Sequence, residues 1–453
     1  MSRATFLFTV FVTVMSIFTF FTKLFAQPES TVQSPSWSYD KVIYEVNLRQ
    51  FTSTGTINEF KEHLPRLKEL GAEILWLMPI HPIGEINRKG KLGSYYSVKD
   101  YFDIDPALGT KEDFAGLVKE VHSLGMFIII DWVANHTSWD NEWTNEHPDF
   151  YKKDSTGKFI PPVPDWSDVI ALDYNNKKLW EKMTEALEYW VKDFNIDGYR
   201  CDVAEMVPIE FWNSLRPRLE KIKPVFMLAE AESPGLHLHA FDMSYSWEFH
   251  HLLERIVKKE KDATAILHEL EKEAKHYPSN SFRMRFTTNH DENSWNGTEF
   301  EKFGDGADAM AVLSATIPGM FLIYSGQEAG NRKRLDFFEK DNIEWKESKY
   351  TDFYKKLFNL KKENPALWNG KKGGEFKYVL PSDEKSIFSF VREKDGNKIF
   401  VVVNLSEQKQ DVGFNSSVIA GTYNELFWSE KVNIEKKYKL TLNPWEYKVF
   451  VQQ

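Results

Sequence analysis

The stretch GYRCDV, residues 198–203, is an apolar, strand-like run that reaches an acid where a polar loop begins. Two later stretches, VFMLAE at 225–230 and RMRFTTNHD at 283–291, have the same arrangement. The acids in the three runs are Asp202, Glu230 and Asp291. Cleavage of a glycosidic bond needs one carboxyl group that protonates the leaving oxygen and another that attacks or stabilises the sugar cation. If the strand ends converge, this pattern predicts a carbohydrate-cleaving enzyme.

Strand-like runs of this kind recur along most of the chain. Eight of them, most nearly continuous in apolar residues as strands buried on both faces are, lie at 42–49, 74–80, 127–134, 198–203, 225–231, 241–247, 283–290 and 320–327. Segments with helical spacing of apolar residues lie between several of them, around 64–70, 114–121, 180–194 and 211–219. This alternation predicts a parallel (β/α)8 TIM barrel over residues 38–368, with its active site after the carboxyl ends of the strands.

Two segments interrupt the alternation. Residues 136–172, after the third strand, are long, aromatic and rich in proline, and they predict a small inserted domain over the barrel mouth. Residues 369–453 change to short alternating runs separated by Gly, Asn and Ser. These runs, at 376–380, 386–392, 398–404, 421–427 and 447–451, predict a C-terminal antiparallel β domain.

Composition narrows the classes of function. The chain has 453 residues, of which 42% are hydrophobic, so it can bury a barrel-sized core and a smaller second domain. Its formal net charge of -10, without long blocks of like charge, argues against a nucleic-acid partner, which would need a basic face. A neutral substrate agrees better with this balance. The single cysteine, Cys201, cannot form an intramolecular disulfide and is interpreted as a small buried side chain.

The N-terminus has the features of a targeting segment. Arg3 precedes an apolar run at 6–21, and Ala26 suits the last position before cleavage. Residues 1–26 are therefore predicted to be a signal peptide, with an uncleaved N-terminal anchor as the alternative. We expect a mature protein that is secreted or periplasmic and has no stable membrane partner after cleavage.

Four short segments carry a resemblance to a known family. DWVANH at 131–136, GYRCD at 198–202, AE at 229–230 and FTTNHD at 286–291 resemble, in order, the signature segments of the alpha-amylase family of glycoside hydrolases, as found in secreted bacterial alpha-amylases. The resemblance implies that Asp202 is the catalytic nucleophile and Glu230 the general acid/base. It implies that Asp291 is a third acid, which holds sugar hydroxyls and helps to distort the ring.

The chemistry of a retaining glycosidase agrees with these roles. The nucleophile and the acid must lie about 5 to 5.5 Å apart, which neighbouring barrel strands can provide. Arg200 lies two residues before Asp202, on the same face of the strand, where its guanidinium would keep Asp202 ionised and oriented. The apolar residues before Glu230 favour a protonated carboxyl through desolvation. A single acid of this kind could instead be a loop cap or an ion-pair partner; three in this arrangement favour catalysis.

The resemblance also implies residues that bind substrate and metal. The substrate-binding residues of the family are matched here by Arg200, His136 and His290. The family's stacking tyrosine is matched by Tyr96, although the neighbouring Tyr95 could take this role instead. The two histidines could alternatively be capping or structural residues. Asn135 and Asp173 match positions that bind a structural calcium in many amylases, and hard oxygen ligands suit that ion.

The segment ALDYN at 171–175 is similar to the alpha-amylase version of the family's fifth segment. Endo-acting, retaining hydrolysis of alpha-1,4-glucosidic bonds in starch-like alpha-glucans is therefore the leading hypothesis. A hydrolase or glucanotransferase that processes cyclodextrins or maltooligosaccharides would use the same acids. From other classes, a catalytically inactive glucan-binding protein and an anchored structural protein remain as alternatives.

Overall fold

The computed structural model describes residues 29–453, and it contains the closed parallel barrel that the sequence predicts. The eight barrel strands are Ile43–Val46, Ile74–Leu77, Phe127–Trp132, Gly198–Cys201, Phe226–Ala229, Met243–Tyr245, Phe282–Arg285 and Met320–Tyr324. The first strand closes the barrel, since Ile43 pairs with Ile74 on one side and with Leu322 on the other. Every strand ends before its predicted run does, so Asp202, Glu230 and Asp291 all lie in the loops beyond the strands.

Helices cover the outside of the barrel. The longer ones are Lys111–Ser123, Lys177–Asp193, Ile209–Glu220, Trp247–Val257, Thr264–His276, Ala307–Thr316 and Lys349–Glu363; shorter ones are Leu48–Phe51, Ile57–Lys61, Leu64–Leu70 and Glu299–Phe303. Helix Lys177–Asp193 shows why they form, because it buries Met183, Leu187 and Trp190 at intervals of three and four residues against the barrel. At the start of helix Lys111–Ser123, Thr110 and Asp113 form a reciprocal capping box.

The inserted segment leaves and rejoins the barrel through a short antiparallel pair. Strand His136–Ser138 pairs with strand Val169–Ala171, with His136 opposite Ala171. A short helix, Trp143–Glu146, lies between them. The pair brings both ends of the insertion to the carboxyl end of the third barrel strand, where the sequence predicts a small inserted domain.

The C-terminal region is antiparallel, as predicted, but it has more strands than the sequence indicates. Glu375–Tyr378, Ile387–Lys394, Asn397–Asn404, Tyr447–Gln452, Gly421–Glu425 and Lys431–Ile434 form one sheet in that order, and Gln410–Asn415 pairs with Lys437–Leu442 in a second. The strands that begin at Gln410, Lys431 and Lys437 are missing from the sequence prediction. Each of them carries period-two alternation, as in Val412 and Phe414 or in Tyr438, Leu440 and Leu442, so a signal for them was present in the sequence.

One apolar cluster joins the barrel helices to the C-terminal sheet. Helix Lys349–Glu363 contributes to both sides, because the ring of Tyr354 lies 6.3 Å from that of Phe321 in the barrel, and the ring of Phe353 stacks on Phe427 of the C-terminal region at 5.5 Å. Phe390 and Val401 of the sheet belong to the same buried cluster.

Two predictions from the sequence concern the N-terminus and the cysteine. The proposed signal peptide, residues 1–26, and its anchor alternative lie outside the described residues. Between residues 29 and 453, no helix combines the length and the apolar character needed to span a bilayer. Cys201 is a free, fully buried thiol in the fourth barrel strand, which agrees with its interpretation as a packing residue.

Candidate active site

The three acids come together at the carboxyl end of the barrel. Asp202, Glu230 and Asp291 line one cavity of about 620 Å³. Main-chain hydrogen bonds continue the pairing of the barrel strands as far as the first two acids. Asp202 N donates to Trp132 O over 2.9 Å, and Glu230 N donates to Cys201 O over 3.0 Å. Because the backbone at both acids is held by the sheet, their side chains start from fixed positions.

Arg200 links these two acids through one buried guanidinium. Its Nη1 donates to Asp202 Oδ1 at 2.9 Å and to Asp131 Oδ1 at 2.8 Å, and its Nη2 lies 2.8 Å from Glu230 Oε2. The Arg200 side chain is fully buried. A rigid, planar group that contacts both carboxyls holds them near each other.

Burial raises the pKa of both acids, and that of Glu230 remains the higher. It raises the pKa of Asp202 to about 6 and that of Glu230 to about 7, and Arg200 opposes both increases. The remaining acids of the site add to the rise, because each ionised carboxyl disfavours the next. Near neutral pH the lower pKa makes Asp202 the ionised member of the pair, and Glu230 retains its proton more readily.

Val203, the residue after Asp202, positions Glu230 from the other side. Its main-chain N–H donates to Glu230 Oε2 over 2.8 Å. Val203 has φ 36° and ψ 49°, a left-handed conformation that a β-branched residue adopts only under strain. The surrounding structure therefore enforces a backbone geometry that directs this N–H toward the acid.

Asp291 belongs to a second buried network, centred on His290. His290 Nε2 lies 3.3 Å from Asp291 Oδ2, and Nδ1 lies 2.5 Å from Glu45 Oε1. Burial alone would lower the pKa of His290, but Asp291 and Glu45 outweigh it and hold this pKa well above its usual range. Burial likewise tends to raise the pKa of Asp291, but His290 and Arg200 reverse this and lower it. Asp291 is therefore ionised beside a protonated histidine.

Tyr96 connects the two networks. Its hydroxyl donates to Asp131 Oδ2 at 3.1 Å and lies 2.7 Å from His290 Nε2. Tyr96 and His136 line the cavity together with the three acids. Burial lowers the pKa of His136 to about 4, so its ring is neutral and can both donate and accept a hydrogen bond.

The predicted site residues thus occupy two layers. Tyr96, His136 and the three acids face the cavity, while Arg200 and His290 lie behind the acids and contact them. A direct contact of Arg200 or His290 with sugar stays a prediction. The Tyr95 hydroxyl donates to Asn47 Oδ1 at 3.1 Å instead of joining this network.

Two buried acids of this site were not assigned from the sequence. Glu45 lies in the first barrel strand and binds His290, and Asp131 lies in the third strand and binds Arg200. A signal was present for both, because each is a carboxylate inside a strand of buried residues, where an unpaired charge would be costly. What the sequence did not identify was their partners.

Comparison with known proteins assigns the family. The model for "Alpha amylase, catalytic domain" matches residues 46–166 and 163–379, and the model for "Maltogenic Amylase, C-terminal domain" matches residues 376–449. The chain belongs to the alpha-amylase family. It is a glycoside hydrolase of that family.

Individual relatives agree with this assignment over most of the chain. Alpha-amylase 2 of Dictyoglomus thermophilum is 27% identical over 443 residues, which span 87% of this chain and 74% of that protein. The crystal structure of a noncanonic maltogenic alpha-amylase from Thermotoga neapolitana has a TM-score of 0.84 at 28% identity and covers 91% of this chain and 98% of the other. An alpha-amylase from Lactobacillus plantarum has a TM-score of 0.82 at 30% identity, with 91% and 99% covered.

Aromatic side chains surround the mouth of the cavity in this alpha-amylase family member. Trp295 is 51% exposed, and its ring lies 5.2 Å from Phe337 and 5.8 Å from Phe338. Trp166 of the insertion also lines the cavity, with its ring 5.6 Å from that of His136. Such faces stack well on the apolar faces of sugar rings.

The calcium position implied by the family resemblance is only partly supplied by side chains. Asn135 and Asp173 are brought near each other, since Leu172 N donates to Asn135 O over 3.1 Å. However, Asn135 Nδ2 faces the sulfur of Met206 at 3.9 Å, and Asp173 Oδ1 accepts from Asn175. Two side-chain oxygens fall short of the six to eight ligands that calcium takes. The calcium site therefore stays a prediction.

A different cluster has the spacing of metal ligands but already contains a cation. Among residues 29–453, His250, Glu254 and Glu292 are the group of His, Cys, Asp or Glu side chains close enough to share an ion. Lys302 Nζ lies 2.6 Å from Glu292 Oε2 and 3.0 Å from His250 Nε2. The ammonium occupies the place of an ion and offsets one of the two carboxylate charges, so we assign the cluster a structural role.

Proposed function

We propose that this protein hydrolyses alpha-1,4-glucosidic bonds of starch-like alpha-glucans by double displacement, with retention at the anomeric carbon. The observation that carries the proposal is the Arg200 guanidinium, which contacts both Asp202 and Glu230. The separated pKa values of the two acids support a different role for each. Membership of the alpha-amylase family supports the alpha-glucan substrate.

In the first step, the ionised Asp202 attacks the anomeric carbon while Glu230 gives its proton to the departing glycosidic oxygen. The bond to the leaving sugar breaks, and a covalent glycosyl-Asp202 ester forms. Glu230, now ionised, takes a proton from water in the second step, and the resulting hydroxide displaces Asp202. Each carboxyl returns to its initial state.

The other polar groups act on the sugar that reacts. Asp291, held ionised by His290, can accept hydrogen bonds from hydroxyls of this sugar. The neutral His136 can donate a hydrogen bond to another hydroxyl of the sugar or accept one from it. Tyr96 provides an aromatic face in the same cavity. These contacts would hold the ring while its anomeric carbon moves between the leaving oxygen and Asp202.

The sequence predicts endo-acting attack, and a second candidate is the processing of maltooligosaccharides or cyclodextrins, by hydrolysis or by glycosyl transfer. Two observations favour this second candidate: the name of the Thermotoga relative includes "maltogenic", and so does that of the C-terminal domain model. The inactive glucan-binding alternative is disfavoured because all three acids face one cavity.

Localisation and calcium are further proposals that rest on the sequence. Cleavage after Ala26 would release the protein into the periplasm or the medium, and N-terminal sequencing of the mature protein tests this. Calcium bound at Asn135 and Asp173 would stabilise the insertion without joining the chemistry.

Trapping tests the proposed mechanism. A 5-fluoro-glucosyl fluoride should label the protein covalently, and peptide mapping should place the label on Asp202. Asp202→Asn keeps the shape of the side chain but removes the attacking charge, so hydrolysis should fall by several orders of magnitude while maltooligosaccharide binding survives. Glu205→Gln, a charge removal at a nearby exposed residue, is the matched control. Near-normal turnover in Asp202→Asn, or a beta-configured product by NMR, would falsify the mechanism.

A further inference from the structure

A segment of eleven residues, 84–94, contributes Lys89 and Ser94 to the lining of the cavity, and we call it the strap. It follows the second barrel strand and contacts the insertion on one side. Lys89 Nζ donates to Asp165 O at 2.7 Å and pairs with Asp168 Oδ1 at 3.1 Å. Glu85 N donates to Asp140 Oδ2 at 3.0 Å. The strap is therefore attached to the wall that the insertion forms.

The other side of the strap is attached to the opposite wall. Leu92 N donates to Phe338 O at 3.1 Å, and Lys91 N donates to Glu339 Oε1 at 2.9 Å. Gly90 has φ +64°, and a Cβ on it would lie 2.5 Å from Cβ of Phe338, so only glycine permits this approach. Both walls carry cavity-lining residues, Asp168 on one and Phe338 on the other. The strap thus joins the two walls.

Internal hydrogen bonds make the strap a stiff element. Arg88 donates through Nε to Gly84 O at 2.7 Å and through Nη2 to Ile83 O at 3.1 Å. Its Nη1 lies 3.4 Å from Lys91 O. One guanidinium therefore connects both ends of the loop, which limits the freedom of the strap to swing away from the cavity.

The position of the strap relative to the acids defines which end of a glucan it meets. The strap leads directly into Tyr96, which bonds Asp131, and Asp131 shares Nη1 of Arg200 with Asp202. Glu230 lies at the other nitrogen, Nη2. These hydrogen bonds connect the strap to the nitrogen of Arg200 that binds Asp202, the residue that keeps the sugar in the proposed mechanism.

We propose that the strap closes the cleft at its glycone end, so that an alpha-glucan enters with its non-reducing end first and loses a short product of constant length. Lys89 is the basic side chain among the cavity-lining residues described here, and its ammonium has three donors, two of which the insertion uses. The third donor can bind a hydroxyl of the terminal sugar. This inference rests on the proposed hydrolysis of alpha-1,4-glucosidic bonds. It differs from the endo-acting expectation in placing the cleaved bond near the non-reducing end of the chain.

A substrate blocked at its non-reducing end provides the test. The kcat/KM of the full-length protein would be measured on maltoheptaose glycosides with a free or a 4,6-ethylidene-blocked terminal sugar, with mass spectrometry of the first products. We expect the blocked substrate to be at least about tenfold poorer, because a closed subsite rejects added bulk. Equal rates on the two substrates, with products of many lengths, would overturn the proposal.

Two variants examine the strap itself. Lys89→Ala removes the ion pair between the strap and Asp168, and Asp168→Asn weakens the same pair from the side of the insertion. Both variants should therefore raise the kcat/KM on the blocked substrate, relative to that on the free substrate, by at least about tenfold. Lys91→Ala is the matched control, since this exposed lysine contacts the opposite wall through its main chain. A ratio that stays constant in both variants would also overturn the proposal. Loss of all glucan hydrolysis in the unaltered protein would instead count against the proposed function.

Discussion

The main-chain N–H of Val203 and Nη2 of Arg200 both approach Oε2 of Glu230, each at 2.8 Å. The Val203 N–H makes this oxygen a hydrogen-bond acceptor, and the positive charge of Arg200 beside it disfavours a proton there. If Glu230 is the general acid of the proposed mechanism, Oε1 is the oxygen left to present its proton to the substrate. The strained turn after Asp202 thus favours Oε1 over Oε2 as the protonated atom of Glu230.

Replacement of this acid should depend on the leaving group. Glu230→Gln cannot protonate a departing sugar, so starch hydrolysis should be severely impaired, whereas an alpha-glucosyl fluoride should still form the glycosyl-enzyme because fluoride departs without a proton. Azide needs no general base and should restore turnover of the fluoride, giving an alpha-glycosyl azide. Asp291→Asn is the comparison, since loss of a hydroxyl contact should impair both substrates without rescue. Equal impairment of Glu230→Gln on both substrates would remove Glu230 from this role.

The pH dependence of kcat/KM should form a narrow bell. Activity requires ionised Asp202, so it should fall as the pH drops through about 6, and it requires protonated Glu230, so it should fall as the pH rises through about 7. The acid and alkaline limits of kcat/KM belong to the free enzyme, and because the two carboxyls interact, each limit reflects the pair and not one residue alone. In Glu230→Gln, cleavage of the fluoride should lose the alkaline limit and keep the acid one. An alkaline limit that persists in this variant would assign it to another group.

Glu45 should act on catalysis through His290. Glu45→Gln keeps a hydrogen-bond acceptor but removes the charge that helps to raise the pKa of His290, so the imidazole should titrate at a lower pH. We expect kcat/KM to fall by about tenfold, the effect of one weakened buried hydrogen bond. NMR titration of His290 separates this role from a purely structural one, which would lower the melting temperature and leave the histidine pKa unchanged.

Buried neutral histidines should make the fold sensitive to acid. Burial lowers the pKa of His81 to about 4 and that of His237 to about 3, below the ordinary value of an unfolded chain. The unfolded chain therefore binds more protons, and the free energy of unfolding should decrease as the pH falls from the ordinary value toward 4, by up to ~1.4 kcal/mol per pH unit for each histidine. Melting temperatures of His81→Asn should show a shallower pH slope than those of His268→Asn, an exposed control.

Calcium removal tests the metal prediction. If calcium binds the native insertion at Asn135 and Asp173, chelation should lower the melting temperature and speed proteolysis between residues 136 and 172. Asp173→Asn should abolish the difference between calcium and chelator. Identical melting and proteolysis with and without chelator would show that these residues bind no calcium.

The sequence predicts the barrel well because each strand is a run of buried apolar residues, and it places Asp202, Glu230 and Asp291 at strand ends. Local pattern does not reveal pairs that are far apart in sequence, such as Glu45 with His290 or Lys89 with Asp168. These pairs form only when the closed barrel brings its first and seventh strands, or the strap and the insertion, together.

Local sequence patterns also fail to reveal some secondary-structure elements or their partners. Ala307–Thr316 is buried on all sides, so the one-sided apolar pattern that marks a surface helix is absent there. The strand Lys437–Leu442 is a different case, since Tyr438, Leu440 and Leu442 alternate visibly with exposed polar residues but nothing local shows that it pairs with Gln410–Asn415.

The two faces of helix Lys349–Glu363 make the barrel and the C-terminal sheet structurally interdependent. Tyr354 packs toward Phe321, and Phe353 packs toward Phe427, so one helix belongs to the interior of both regions. The C-terminal sheet therefore cannot be removed without exposing part of the apolar core. Its removal would leave Phe353 and its apolar neighbours facing water, a surface of the kind that drives aggregation. Exchange of this sheet between related enzymes would consequently require matching changes along the helix.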